Sequence, residues 1–135
     1  MAAPSPLVIA CDFDGVICQE AYPRIGRANL ATIIALRQAR ANGHKLILCT
    51  CREGPLLDAA LAWCGAFELQ FDAVNANLPE RIARYGCDCR KIGADIYIDD
   101  RTPGFSTDLV LSYLWDLLAL GPCAVPPQEE VTAPC

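Results

Sequence analysis

Charge is sparse in this sequence, and no long apolar run is unbroken. Only 20% of its 135 residues are charged, whereas 53% are hydrophobic; the charged share of an average domain is nearer ~25%. Disordered and solvating chains are poor in apolar residues, so that class is excluded. Basic residues are outnumbered 11 to 16, giving a formal net charge of −5. A binder of nucleic acid that works through bulk charge needs a basic surface, so that class is excluded too. No segment reaches the ~18 apolar residues of a membrane span. The longest candidate, Leu109 to Leu120, is interrupted by Ser112 and Asp116. No basic residue precedes Arg24, and Asp12 and Asp14 break the first apolar run, so a secretory signal is not expected. There is no internal repeat and no interdomain linker. The length suits one domain, since single cores occupy about 100–200 residues.

Cysteine is the residue present in excess. Nine cysteines admit a disulfide framework, a metal site or a reduced interior. The odd number and the missing signal argue against the first and for a cytoplasmic, reduced protein. Cys49-Thr50-Cys51 and Cys87-Asp88-Cys89 raise the question of zinc, but structural zinc sites more often place two to four residues between paired cysteines. Cys11 and Cys49 fall in apolar runs, where cysteine acts as a small hydrophobe.

The apolar pattern alternates between strand-length runs and helical spacing. Leu7 to Cys11 and Lys45 to Cys49 are continuous runs, the signature of strands buried on both faces. Phe71 to Val74 and Asp95 to Ile98 read as two further strands. Helices are expected over Asn29 to Asn42, with Leu30, Ile33, Ile34 and Ala41 on helical spacing, and from Pro55 to Gly65. A short helix runs from Pro79 to Tyr85. Thr107 to Leu120 forms a last one, apolar nearly all round, which reads as core and homodimer contact rather than a cofactor box. The expected fold is α/β: a three-layer, Rossmann-like parallel sheet of four to five strands flanked by helices. Residues 1–121 make the domain, and the proline-rich 122–135 a tail with little reason to be ordered.

Ligands of such sheets bind outside the carboxyl ends of the strands. The strands expected here end at Asp12/Asp14, Thr50, Asn75 and Asp99/Asp100. Four carboxylates on one edge repel one another and call for a cation. Oxygen ligands with room for water and phosphate fit magnesium. Such a cation beside an aspartate positions a phosphoryl group for in-line attack. Thr50 can donate to a phosphate oxygen, and Lys91, eight residues before Asp99, can screen nucleophile and phosphate. Arg52 reads either as a phosphate contact or as half of a surface ion pair. Asn75 and Asn77 either line the site or form turns. The single histidine, His44, precedes a strand at the far end and is not expected to be catalytic.

Asp12-Phe13-Asp14-Gly15-Val16, then Thr50, then Lys91, then Ile98-Asp99-Asp100, resembles the ordered four-motif pattern of the haloacid dehalogenase superfamily, over roughly Leu7 to Phe105. The resemblance implies a magnesium-dependent phosphomonoester hydrolase with an aspartyl-phosphate intermediate. Asp12 would be the nucleophile and Asp14 the general acid and base, with Thr50 and Lys91 completing the catalytic set. Phe13, Thr50, Cys51, Arg52 and Lys91 would contact phosphate or substrate. Magnesium would be held by Asp12, the Asp14 carbonyl and the last motif, with Asp100 direct and Asp99 through water. Aspartate at position 14 fits phosphatases rather than transport ATPases, and a dehalogenase has little use for Asp99-Asp100. Neither gap between motifs has room for a cap domain. An open site suits a large phosphorylated partner, such as a phosphorylated polymer, or closure by another subunit. The rival readings are a polynucleotide or macromolecular phosphatase or phosphotransferase on the same scaffold, and a catalytically silent metal-binding domain. A signalling receiver domain is disfavoured by motif order, because here the lysine precedes the last acidic pair.

Overall fold

Four short strands form one all-parallel sheet in a computed structural model that describes residues 3–124. They are β1 (Val8–Cys11), β2 (Lys45–Leu48), β3 (Ala73–Val74) and β4 (Ile96–Ile98), in the spatial order β3-β2-β1-β4. The helices α1 (Leu30–Ala41), α2 (Gly54–Ala66), α3 (Pro79–Tyr85) and α4 (Thr107–Ala119) connect and flank them. The architecture is the three-layer, Rossmann-like α/β arrangement expected from the runs, with each helix within a few residues of its expected bounds.

Side chains of a strand alternate between its two faces, and both faces here are covered. Ile9, Cys11, Leu46 and Leu48 share a core with Ile33 and Leu36 of α1, Cys64 of α2, and Leu114 and Leu117 of α4. On the opposite face Ala10 and Ile47 meet Leu78, Ile92 and Ala94, which belong to the crossover from β3 to β4. The two layers are unequal. Three helices cover one face, while the other is covered by the crossover, whose helix α3 has no fully buried residue. Cys11, Cys18 and Cys64 are buried in the larger core as small apolar side chains, and burial raises all three thiol pKa values.

Two expectations change. In α1 the buried face is Thr32, Ile33, Ala35, Leu36 and Ala39, whereas Leu30 and Ile34 are exposed. Small residues allow close approach to the sheet and to α4, so Ala35 and Ala39 turn inward beside Ile33 and Leu36. The second concerns the tail, whose first residues are anchored. The Cys123 N–H donates to the Asn42 carbonyl (2.7 Å) and the Ala124 N–H to that of Pro4 (3.0 Å). The Cys123 thiol also lies 3.4 Å from Nε2 of buried His44, whose Nδ1 accepts from the Leu7 N–H. The rest of the tail lies outside the described residues. Among those described, no helix is long and apolar enough to cross a membrane.

Candidate active site

Register brings the acidic motifs together. In the parallel pairing of β1 with β4, Cys11 lies opposite Ile98. Both strands therefore end at the same level, and the next residues are Asp12 and Asp99. The Asp12 N–H donates to the Ile98 carbonyl at 2.9 Å, continuing the ladder by one step. One carboxylate oxygen from each of Asp12, Asp99 and Asp100 lies within 4.8 Å of the others, a spacing that a single cation can span. Gly15 makes room for this group. Its φ is +84°, a conformation that favours glycine, and a Cβ there would overlap the Asp100 carboxylate.

Unscreened, the cluster is electrostatically costly. The Asp12 carboxyl is pushed up to about 7, chiefly because burial disfavours its charged form, with the carboxylates of Asp99 and Asp100 adding to the rise. A hydrogen bond from the Phe13 N–H to Asp12 Oδ1 (2.7 Å) opposes it. An acid raised this far by burial and by its neighbours is one that a hard cation would return to its charged form. Asp99 also fixes its own turn, accepting from the Arg101 N–H at 2.8 Å.

Asp14 faces away from that cluster. Its two oxygens accept from Arg52, Oδ2 from Nε at 2.8 Å and Oδ1 from Nη2 at 2.7 Å. Arg52 is only 2% exposed, the largest fully buried side chain of the described residues. The rest of its guanidinium donates to the carbonyls of Pro23 (3.2 Å) and Arg24 (2.9 Å), and its Cζ lies 5.1 Å and 5.2 Å from the ring centres of Phe13 and Tyr22. The pairing with Asp14 raises the Arg52 pKa. Of the two readings of Arg52, neither a direct phosphate contact nor a surface pair describes this geometry. It is a buried clamp that joins β2's end to the loop after β1.

Thr50 is held at the same edge. Its N–H donates to Asn75 Oδ1 (2.8 Å), and its Oγ1 accepts from the Arg52 N–H (3.1 Å), which leaves the hydroxyl hydrogen unused. Asn75 adopts a left-handed φ of +50° to make this contact, so it is a turn residue that also positions the site. Cys51 is exposed beside it. Phe13 departs from expectation: its ring is fully buried, edge-on to Trp63 with centroids 5.6 Å apart, and its side chain cannot touch a substrate.

Lys91 also departs. Its ammonium lies 5.6 Å from the centre of the Tyr97 ring, and it lines a hollow with Val8 and Asp95, residues at the amino ends of β1 and β4. Tyr97 pairs with Ala10, so Asp12 is two residues further along, about 6–7 Å at the usual strand rise. The crossover is anchored by Asn77, whose Nδ2 donates to Asp88 Oδ1 (2.7 Å) and the Cys89 carbonyl (3.0 Å). Its Oδ1 accepts from the Gly93 N–H (2.7 Å). The segment bearing Lys91 is thus tied down in a course that does not bring its side chain to the aspartates.

Sequence reasoning missed two contributors, Gly15 as the space for Asp100 and Arg52 as the partner of Asp14. The glycine directly after Asp14 was a usable signal. Nothing local distinguishes a buried arginine from an exposed one.

No family model matches this chain, and no curated protein does. Among solved structures it is similar to a conserved protein coded by a locus from Bacteroides thetaiotaomicron, at 36% identity and a TM-score of 0.72. The match covers 84% of this chain and 93% of that one. The chain belongs to the family of that conserved protein. The similarity extends over the fold and leaves the chemistry to the residues.

Proposed function

We propose that the protein is a magnesium-dependent phosphomonoester hydrolase of the haloacid dehalogenase type, with Asp12 as nucleophile. The observation that carries the reading is the convergence of Asp12, Asp99 and Asp100 within 4.8 Å at the carboxyl edge of the parallel sheet, with Thr50 closing the neighbouring strand. The donor set is all oxygen and carries excess negative charge, which fits magnesium. Asp12, Asp100 and the Asp14 carbonyl would hold it, with Asp99 behind. A bound magnesium ion would neutralise charge on the transferring phosphoryl oxygens.

An Asp12 oxygen attacks phosphorus and the bond to the leaving alcohol oxygen breaks, giving an aspartyl-phosphate. Asp14, in its protonated form once turned away from Arg52, gives that proton to the departing oxygen. It then takes one from the water that attacks the same phosphorus, releasing inorganic phosphate and restoring Asp12. Thr50 donates its free hydroxyl hydrogen to a phosphoryl oxygen. Arg52 positions Asp14 and supplies the fixed positive charge beside it; Lys91 has no step. Proton transfer requires one Asp14 oxygen to turn from Arg52 toward the substrate.

That requirement favours a second reading. With both oxygens of Asp14 engaged by a buried arginine, the site can bind cation and phosphate without turnover. Aryl phosphate hydrolysis separates the two: the first reading expects magnesium-dependent release that Asp12→Asn abolishes in a folded protein. Release that survives Asp12→Asn, or that persists without metal, would overturn the mechanism. No turnover, together with beryllium fluoride binding that needs Asp12, would establish the silent site.

A further inference from the structure

The acidity of the chain conceals a local reversal of charge. Residues 79–97 hold four basic side chains, Arg81, Arg84, Arg90 and Lys91, against three acids, Glu80, Asp88 and Asp95; the other residues hold seven basic and thirteen acidic ones. These four cations belong to α3 and the crossover after it, and all are exposed. Arg81, Arg90 and Lys91 take part in none of the three ion pairs among the described residues. Of the neighbouring acids, Glu80 is exposed in the first turn of α3, and Asp88 and Asp95 are tied to the backbone. Asp88 accepts from the N–H of Asn77 (3.0 Å) and Asp95 from that of Val8 (2.8 Å).

The cations are arranged against aromatic rings. Arg81 and Arg84 lie 5.2 Å and 5.6 Å from the centre of the Tyr85 ring, and Lys91 lies 5.6 Å from that of Tyr97. Both rings remain about half exposed, at 52% and 47%. Arg81 also packs against Gly93, where a Cβ would overlap its guanidinium. The Tyr97 hydroxyl is fixed by the Ile92 carbonyl and the Ala94 N–H. Arg81, Lys91 and Tyr97 share one hollow of about 370 Å³.

We infer that this face, α3 together with residues 86–97, binds a single-stranded nucleic acid through its phosphates and bases. Interleaved cations and half-exposed rings match what a single strand presents, a charged backbone with stackable bases. An anionic bilayer would call for apolar side chains to insert. The exposed Leu109 and Trp115 lie instead on α4, which packs on the opposite face of the sheet. The inference stands on charge and ring geometry and does not depend on turnover at Asp12.

The test is fluorescence anisotropy of a labelled oligothymidylate across a salt series, with the full chain. Three phosphate contacts, by Arg81, Arg90 and Lys91, give a log–log salt slope of about −2 on a single strand. In Arg81→Gln/Lys91→Gln that slope falls by about two thirds, and affinity at low salt drops by about tenfold. Arg90→Gln, in the loop, gives a smaller loss in the same direction. Arg37→Gln, which removes one charge from α1 as Arg90→Gln does from the loop, leaves binding unchanged. Equal binding by wild type and the double variant, or an equal loss in Arg37→Gln, would overturn the assignment. So would polyglutamate competing as well as oligothymidylate, or anionic vesicles binding as tightly as the oligonucleotide.

Discussion

Replacing Arg52 by methionine is the sharpest perturbation this fold offers. Methionine keeps much of the apolar stem beneath Tyr22 and beside Phe13 and removes the guanidinium. Four hydrogen bonds disappear, two to Asp14 and two to the carbonyls of Pro23 and Arg24. Asp14 is left with a carboxylate only 14% exposed and no counter-charge. Breaking a buried pair from one side costs about 3–5 kcal/mol, because the remaining charge stays desolvated. With a urea m-value of roughly 2 kcal/mol/M, that moves the midpoint down by about 1.5–2.5 M. Removing both partners is a different matter. Arg52→Met combined with Asp14→Leu replaces a buried pair by apolar volume, and most of the loss is recovered. Urea unfolding of the two single variants and the double one yields the coupling energy, expected at about 2–3 kcal/mol. If Arg52→Met loses under about 1 kcal/mol, the range of an exposed pair, the clamp has been misread.

Three further outcomes follow from the same geometry. Gly15→Ala forces a left-handed φ on alanine and drives a methyl into Asp100, so it costs about 1–3 kcal/mol and blunts the rise in melting temperature on adding magnesium; an unchanged magnesium response would refute the role of Gly15. Asp12 predicts a pH dependence in metal-free protein. Its folded pKa, about 7, exceeds the ordinary 3.8, so the native state holds an extra proton between them and stability falls as pH rises through that window. Discounting for partial exposure leaves about 1–2 kcal/mol, seen as a lower melting temperature at pH 8 than at pH 4 that Asp12→Asn removes; equal slopes would refute it. Asn77→Ala strands the Gly93 N–H and leaves Asp88 with only the backbone N–H of residue 77, costing about 1–3 kcal/mol in chemical denaturation and speeding amide exchange across 86–95. Normal protection there would show that other contacts hold the crossover.

The layers and the acidic edge were legible because short-range pattern determines them. Strands buried on both faces must be apolar throughout, so Val8–Cys11 and Lys45–Leu48 are visible as runs, and parallel pairing obliges their following residues to meet at one edge. Asp12, Thr50, Asp99 and Asp100 follow from that rule alone. Arg52 and Lys91 do not, since both are long side chains beside a motif, with nothing local to say where their charges go. Tertiary packing decided it. A loop between β1 and α1 closes over Arg52 and offers two carbonyls and a carboxylate, burying a charge that composition would place outside. Asn77 meanwhile holds the crossover where Lys91 reaches Tyr97 rather than Asp12. Local pattern alone specifies the sheet and its acidic end. Which cation serves that end is a long-range matter, settled by where the desolvation of a guanidinium could be offset.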